Sequence, residues 1–407
     1  MMKIFLFDMD GVLLESHGYH LALQETVHRM ALALGFRTPN KTALAAVPGG
    51  EDPVLSGVLL GTLREAGLSA ETIATFEAGG ITSEWDEAAI CTACLLEAAW
   101  KNDPGLAFPL SLAGPAASAS PGRLLPDFME AARALTTAEM LPLHPLERAA
   151  RLFLKKHHHD PRQEQILHDL ILQARWAEVS LTHRTFQELV LGSAEFARAY
   201  DLPAELDCES YLLKYDRSNL SAAESQRLRD WLAAPGQAAV VITSRPSRAP
   251  AGIFSTPEAE LGTKLVGLEG LPVLGWGGMC WLGLQRYTNP QSFLKPSPVH
   301  ALAGIRMALG ESQETALSAA AELVDGKKSD GGWPRLEGAR VTVFEDTPGG
   351  VKSLLAAKEA LGRVGVQIEA RYCGVAREPV KVTALEACGA KVFPSVTEAL
   401  EAAFASG

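Results

Sequence analysis

The sequence predicts an α/β protein: a parallel sheet with helices on both faces, interrupted after its first strand by a large, mainly α-helical insertion. Three observations lead there. A short apolar run, Lys3 to Met9, lies near the start of the chain and ends at Asp8-Met9-Asp10-Gly11. Residues 17–220 then carry helical periodicity with almost no strand signal. From Ser221 onward, short β-branched runs alternate with helical stretches, as in a sheet built from strand–helix–strand units.

Each element follows from its own pattern. Lys3 to Met9 reads as a buried strand, and Gly11 ends it because glycine tolerates any backbone conformation. In the insertion, helices are expected at Tyr19–Leu34, Glu84–Lys101, Asp127–Thr137, Leu146–Lys156, Arg162–Glu178 and Phe186–Tyr200. Residues 102–126 are rich in Pro, Gly, Ala and Ser and read as a flexible loop. After a helix at Ala222–Ala233, strands are expected at Ala238–Ile242, Pro272–Leu274, Arg340–Phe344, Ile368–Val375 and Lys391–Phe393. Helices at Glu258–Val266, Pro298–Leu309, Val351–Leu361, Val380–Cys388 and Val396–Phe404 separate them. The domains are therefore 1–16 with 221–407, a doubly wound, Rossmann-like core, and 17–220, a helical cap. An insertion that leaves and re-enters beside the first strand's end is placed to act as a lid.

The bulk numbers narrow the function classes. At 407 residues the chain is long enough for two or three domains, and 47% hydrophobic with 21% charged residues is a soluble globular composition. Its formal net charge of -11 disfavours nucleic-acid and anionic-membrane partners, which want a basic surface. No apolar run approaches the roughly 18 residues of a membrane span, and no signal-peptide pattern is present, which points to the cytoplasm. Cys91 and Cys94 form a lone C-x-x-C with no second pair, and read as two thiols on one helix.

Four segments carry the chemistry: Phe7-Asp8-Met9-Asp10-Gly11, Ile242-Thr243-Ser244-Arg245, Lys295-Pro296-Ser297-Pro298 and Phe344-Glu345-Asp346-Thr347-Pro348. Each falls at a strand end or a helix start. In a parallel sheet the carboxyl ends of the strands share one edge, where ligands bind. Asp8, Thr243 and Asp346 should converge there, with Asp10, Lys295 and Glu345 beside them. Carboxylates crowded this closely repel one another, and an all-oxygen donor set of this kind suits Mg²⁺.

These four segments, in this order, resemble the haloacid-dehalogenase-like superfamily. The likeness covers the first strand and nearly all of residues 221–407, but not the insertion. It implies a role for each position. Asp8 is the nucleophile that forms an aspartyl-phosphate, and Asp10 is the acid/base that protonates the leaving oxygen and then activates water. Thr243, with Ser244 and Arg245 close by, holds the phosphoryl group, and Lys295 neutralises charge. Mg²⁺ binds to Asp346, Asp8 and the Asp10 backbone carbonyl, with Glu345 in or next to the metal's shell. The helical insertion occupies the family's cap position, at a size well above its common small cap.

The resemblance implies a Mg²⁺-dependent phosphatase acting on a small phosphorylated metabolite. A phosphomutase of the phosphohexose type uses the same segments and differs in returning the phosphoryl group to substrate, which a bisphosphorylated intermediate would reveal. A catalytically idle binding protein on the same fold is the third reading. Dehalogenation is disfavoured by Asp10, and phosphonate cleavage would need a cap lysine among Lys41, Lys101, Lys155 and Lys156. Arg29, Arg151, Arg175 and Arg184 are cap candidates for a second anionic group. His157, His158 and His159 are adjacent and do not share a helix face, so they read as a solvated helix end; Trp276, Trp281, Arg286 and Tyr287 read as core or loop. Sequence says nothing of the oligomeric state.

Overall fold

A computed structural model describes residues 1–36, 68–108, 111–112, 123–154, 160–327 and 331–405. The chain divides into two units, one made of Met1–Ser16 with Tyr215–Gly407, the other of His17–Lys214. The return to the first unit thus comes six residues before the expected boundary at 221. The reason is a short ribbon that the sequence did not announce, in which Leu14–Glu15 (β2) pairs antiparallel with Arg217–Ser218 (β3).

The first unit is built on a six-stranded, wholly parallel sheet. Its strands are Lys3–Phe7 (β1), Gln237–Ile242 (β4), Val273–Leu274 (β5), Arg340–Glu345 (β6), Glu369–Val375 (β7) and Lys391–Phe393 (β8), in the order β5-β4-β1-β6-β7-β8. β1 lies between β4 and β6, with Phe7 opposite both Val241 and Phe344. The chain builds outward from β1 first on one side and then on the other, so the order reverses there and opens a crevice at the strands' carboxyl ends.

Strand pleating sorts the core into two faces. On one, Ile4 and Leu6, Val240 and Ile242, and Val341 and Val343 meet helices Pro298–Ala308, Gln313–Val324 and Pro348–Arg363. On the other, Phe5, Phe7, Val241 and Phe344 meet Leu228 and helix Val396–Ala405. Phe7 stacks on Phe344 with centroids 4.7 Å apart. β1 is buried on both faces, which is why it reads as an uninterrupted apolar run.

From Gln237 onward the observed sheet strands match the expected ones to within a residue at each end; β1 ends at Phe7, two residues before the expected Met9. Two helices were missed. Trp276–Arg286 contains three glycines and carries little helical signal; Gln313–Val324 is Ala-rich and starts at Ser312, whose hydroxyl caps Thr315. In the helical unit, Ala70–Ala78 was also missed. The helix expected to run to Glu178 ends at Leu172. The expected Phe186–Tyr200 helix is two helices, Leu181–Leu191 and Ser193–Tyr200, broken at Gly192, whose φ of 80° no helix accommodates.

Helices Gly18–Ala33, Glu84–Asn102 and Leu181–Leu191 pack on one another at the centre of the helical unit. Cys91 and Cys94 are free and buried on the second of these. Residues 109–110 and 113–122 of the expected loop at 102–126, together with Lys41, Lys155, Lys156 and His157 to His159, lie outside the described residues. No helix among the described residues is long and apolar enough to cross a membrane.

Candidate active site

Asp8 is the first residue past β1, and its N–H donates to Phe344 O at 2.9 Å, which holds it at the edge of the sheet. Its Oδ1 accepts from Met9 N at 2.7 Å and from Lys295 Nζ at 2.8 Å. The same ammonium reaches Glu345 Oε1 at 2.6 Å. Carboxylate oxygens of Asp8, Glu345 and Asp346 all lie within 4.8 Å of one another, and the three residues are buried. The strand register brings this about, because Asp8, Glu345 and Asp346 follow aligned positions of adjacent strands.

Two glycines make the crowding sterically feasible. A Cβ at Gly11, whose φ is +75°, would sit 2.4 Å from Asp346 Oδ2. A Cβ at Gly350 would sit 1.9 Å from Glu345 Oε1. Both positions are open to glycine alone.

Electrostatics show the cluster short of positive charge. Burial by itself would lower the Lys295 pKa, but Asp8 and Glu345 reverse that and hold it above the ordinary lysine value. Glu345 is pushed well above the carboxylate range by burial and by Asp8, against the pull of Lys295. Asp346 is raised by burial, opposed by its hydrogen bond from Lys381 and assisted by Asp8. One ammonium is shared between Asp8 and Glu345, and a second, Lys381, meets Asp346. The three carboxyl groups form an all-oxygen donor set that fits a divalent cation such as Mg²⁺.

Lys295 is aimed from behind by a residue the sequence reading missed. His300 Nδ1 accepts from Lys295 N at 3.3 Å while its Nε2 meets Leu274 O at 3.0 Å, so the ring donates through Nε2 and ties the lysine's backbone to the end of β5. Burial and Lys295 push its pKa down to about 3, so the ring is neutral. Ser297 caps helix Pro298–Ala308 through Val299 N, and its carbonyl accepts from Ser353 Oγ at 2.6 Å.

The loop after β4 separates three neighbouring residues. Thr243 is fully buried and its Oγ1 accepts from Arg245 N at 3.1 Å. Ser244 is exposed in the bend. Arg245, expected close to Thr243 at the phosphoryl-holding position, bonds it through its N–H, and its guanidinium reaches Asp10. Its Nε donates to Asp10 Oδ2 at 2.9 Å and its Nη2 to Asp10 Oδ1 at 2.5 Å, with further bonds from Nη2 to Ser16 Oγ and Asp216 Oδ2, each at 3.0 Å. Sequence gave no sign of Asp216 or Ser16.

Lys381 was also missed. It donates to Asp346 Oδ2 at 2.6 Å from helix Pro379–Glu386. Beside it opens a cleft of about 400 Å³, lined in part by Gly11, Asn219, Asp346, Arg377, Lys381 and Ser395.

The other candidates have protein partners or packing of their own. Arg29, Arg151, Arg175 and Arg184 pair with Glu25, Glu147, Asp86 and Glu205. Trp276 and Trp281 pack against the core, Arg286 pairs with Asp325, and Tyr287 is exposed.

No family model matches the chain, and no curated protein matches it. Among solved structures, it is similar to an X-ray structure of a Northeast Structural Genomics Consortium target, at 15% identity and a TM-score of 0.54, over 96% of this chain and 95% of that one. At that identity the likeness bears on the fold: an α/β architecture with a parallel sheet and many helices.

Proposed function

We propose that the protein is a Mg²⁺-dependent phosphoryl-transfer hydrolase of the haloacid-dehalogenase-like type, cleaving a small phosphomonoester through an aspartyl-phosphate on Asp8. The observation that carries this reading is the cluster itself. Asp8, Glu345 and Asp346 present carboxylate oxygens within 4.8 Å of one another, and Lys295 Nζ lies 2.8 Å from Asp8 Oδ1.

Asp8, Asp346 and the Asp10 carbonyl would hold Mg²⁺, which when bound supplies positive charge against the phosphoryl oxygens. The remaining roles belong to the chain. Asp8 attacks phosphorus and displaces the leaving oxygen. Lys295 fixes the orientation of Asp8 and offsets the repulsion between the carboxylate and an anionic phosphate. Its second bond, to Glu345, gives that residue an orienting role. Thr243, whose Oγ1 already accepts from Arg245 N, can donate its hydroxyl proton to a phosphoryl oxygen. Asp10, its side chain 42% exposed, gives a proton to the leaving oxygen and then takes one from water.

The test is phosphate release from a panel of sugar and organic-acid phosphates, with Mg²⁺ and with chelator. Metal-dependent release by the wild type, abolished in Asp8→Asn, is expected. Release at an undiminished rate by Asp8→Asn would refute the mechanism. Failure of the wild type both to turn over the panel and to trap beryllium fluoride with Mg²⁺ would favour an idle binding protein.

A further inference from the structure

Asp10 is held by a device that the sequence does not disclose. In the β2–β3 ribbon, Leu14 lies opposite Ser218 and Glu15 opposite Arg217. One step further, the register puts Ser16 opposite Asp216. These are the last residue before the chain leaves the α/β unit and the second after it returns. Arg245 Nη2 donates to both, at 3.0 Å each, and the same group holds Asp10. Asp10 is itself tied to the ribbon's start by a bridge to Leu14, and Gly11 N donates to Leu14 O at 2.8 Å.

The arrangement is rigid at its base and open at its tip. The Arg245 side chain is 3% exposed and that of Asp216 is fully buried, whereas that of Asp10 is 42% exposed. The Arg245 backbone is pinned as well: its carbonyl accepts from Trp276 N at 2.9 Å, and its N–H donates to Thr243 Oγ1 at 3.1 Å. A guanidinium stays charged and offers a planar fork, so the two bonds from Nε and Nη2 fix the plane of the Asp10 carboxylate and not merely its distance. Asp216 balances the buried cation from the other side.

Resting on the phosphoryl-transfer reading above, we infer that Arg245 is the positioning residue for Asp10, and that Asp216 and Ser16 lock Arg245 so that the acid/base is registered to the two chain crossings into the helical unit. Arg245 on this account does not grip the phosphoryl group. It sets where the proton is delivered.

Two phosphate esters separate these roles in the full-length protein with Mg²⁺. An alkyl phosphate has a poor leaving group that needs a proton, whereas p-nitrophenyl phosphate leaves readily without one. Because kcat/KM reports the steps up to phosphoenzyme formation, Arg245→Lys should lower it by about 30-fold on the alkyl ester and less than about 3-fold on the nitrophenyl ester. Asp216→Asn should show the same asymmetry at smaller amplitude. Equal losses on both esters would mean that Arg245 holds the shared phosphoryl group, and no loss on either would mean that it does not position Asp10; both overturn the inference. If the wild type cleaves neither ester, the phosphatase reading rests on the substrate panel and the beryllium fluoride trap described above. The positioning claim then stands or falls on crystal structures of the wild type and Arg245→Lys. The Asp10 carboxylate should turn or split into several conformers in the variant; an unchanged, single orientation would overturn it.

Discussion

Buried charge is satisfied differently at two places, one in each unit. In the helical unit, Asp86 and Glu25 pair with Arg175 and Arg29, but Arg148 and Glu188 are spent on backbone. Arg148 donates to the carbonyls of Leu143 at 2.8 Å, Gly79 at 2.6 Å and Leu141 at 3.0 Å. Glu188 accepts from Glu205 N at 2.9 Å and Leu206 N at 2.7 Å. At the α/β unit's cluster, charges are spent on one another: Lys295 with Asp8 and Glu345, Arg245 with Asp10 and Asp216, Lys381 with Asp346. A charge satisfied by carbonyls or N–H groups staples loops together and gains nothing from a ligand. Charges brought together from separate segments and paired with one another, with carboxylates in excess, form a set that a cation and a phosphate can complete.

Mutations on each side sharpen the contrast, and the largest effect belongs to the α/β unit. Asp8→Asn should lower kcat for phosphate release by about 10⁴-fold or more while the thermal midpoint stays near the wild-type value, since the nucleophile is lost but its volume is kept. A large fall in midpoint with little loss in kcat would place Asp8 among the structural charges. The counterpart is Arg148→Met, which strands several carbonyls. It should cost about 3 kcal/mol of stability by urea unfolding. An unchanged midpoint would break the comparison from the helical side.

Next comes a pH effect. Glu87 is raised from 4.5 to about 9 by burial and by Glu84, Glu77 and Asp86, so it is protonated in the folded protein at neutral pH. The unfolded chain releases that proton above 4.5 and the folded one only near 9, so its contribution to stability is complete below 4.5 and is lost as pH rises towards 9. The loss is on the order of 1 kcal/mol per pH unit in that window. Glu87→Gln should flatten this slope and raise the thermal midpoint at pH 8 relative to pH 5; parallel slopes in variant and wild type would show that Glu87 is ionised. The smallest effect is expected in the loop after β4. Thr243→Val should reduce kcat/KM by about 10-fold, and Ser244→Ala, at an exposed position, by less than about 2-fold. The reverse order would move the phosphoryl-holding role to Ser244.

The sequence revealed what repeats along a strand and hid what is assembled across the fold. β1, β4 and β6 were legible because both faces are buried, so Ile4 to Phe7 and Ala239 to Ile242 are unbroken apolar runs, and Val341 to Phe344 is interrupted only by the β-branched Thr342. The residues closing those strands, Asp8, Thr243, Glu345 and Asp346, were then legible by position. Asp216 was not, because it extends a ribbon of two-residue strands too short to have a period. Lys381 and His300 lie on helices where a single polar residue has no signature, and only the fold shows what each one faces. Arg245 was legible as a neighbour of Thr243, which its N–H meets, but its second neighbour was not: the long side chain reaches Asp10.

The central place of β1 has a consequence for how the protein is made. Its hydrogen-bonding neighbours begin at Gln237 and at Arg340, so nothing encoded nearby can cover its edges. During synthesis the apolar segment Lys3–Phe7 waits for its first sheet partner while the helical unit is translated, and for its second until residues 340–345 are made. Folding of the α/β unit is therefore dominated by contacts of very long sequence separation, which are slow to form. Until β6 is complete, one edge of this apolar strand has no sheet partner to cover it.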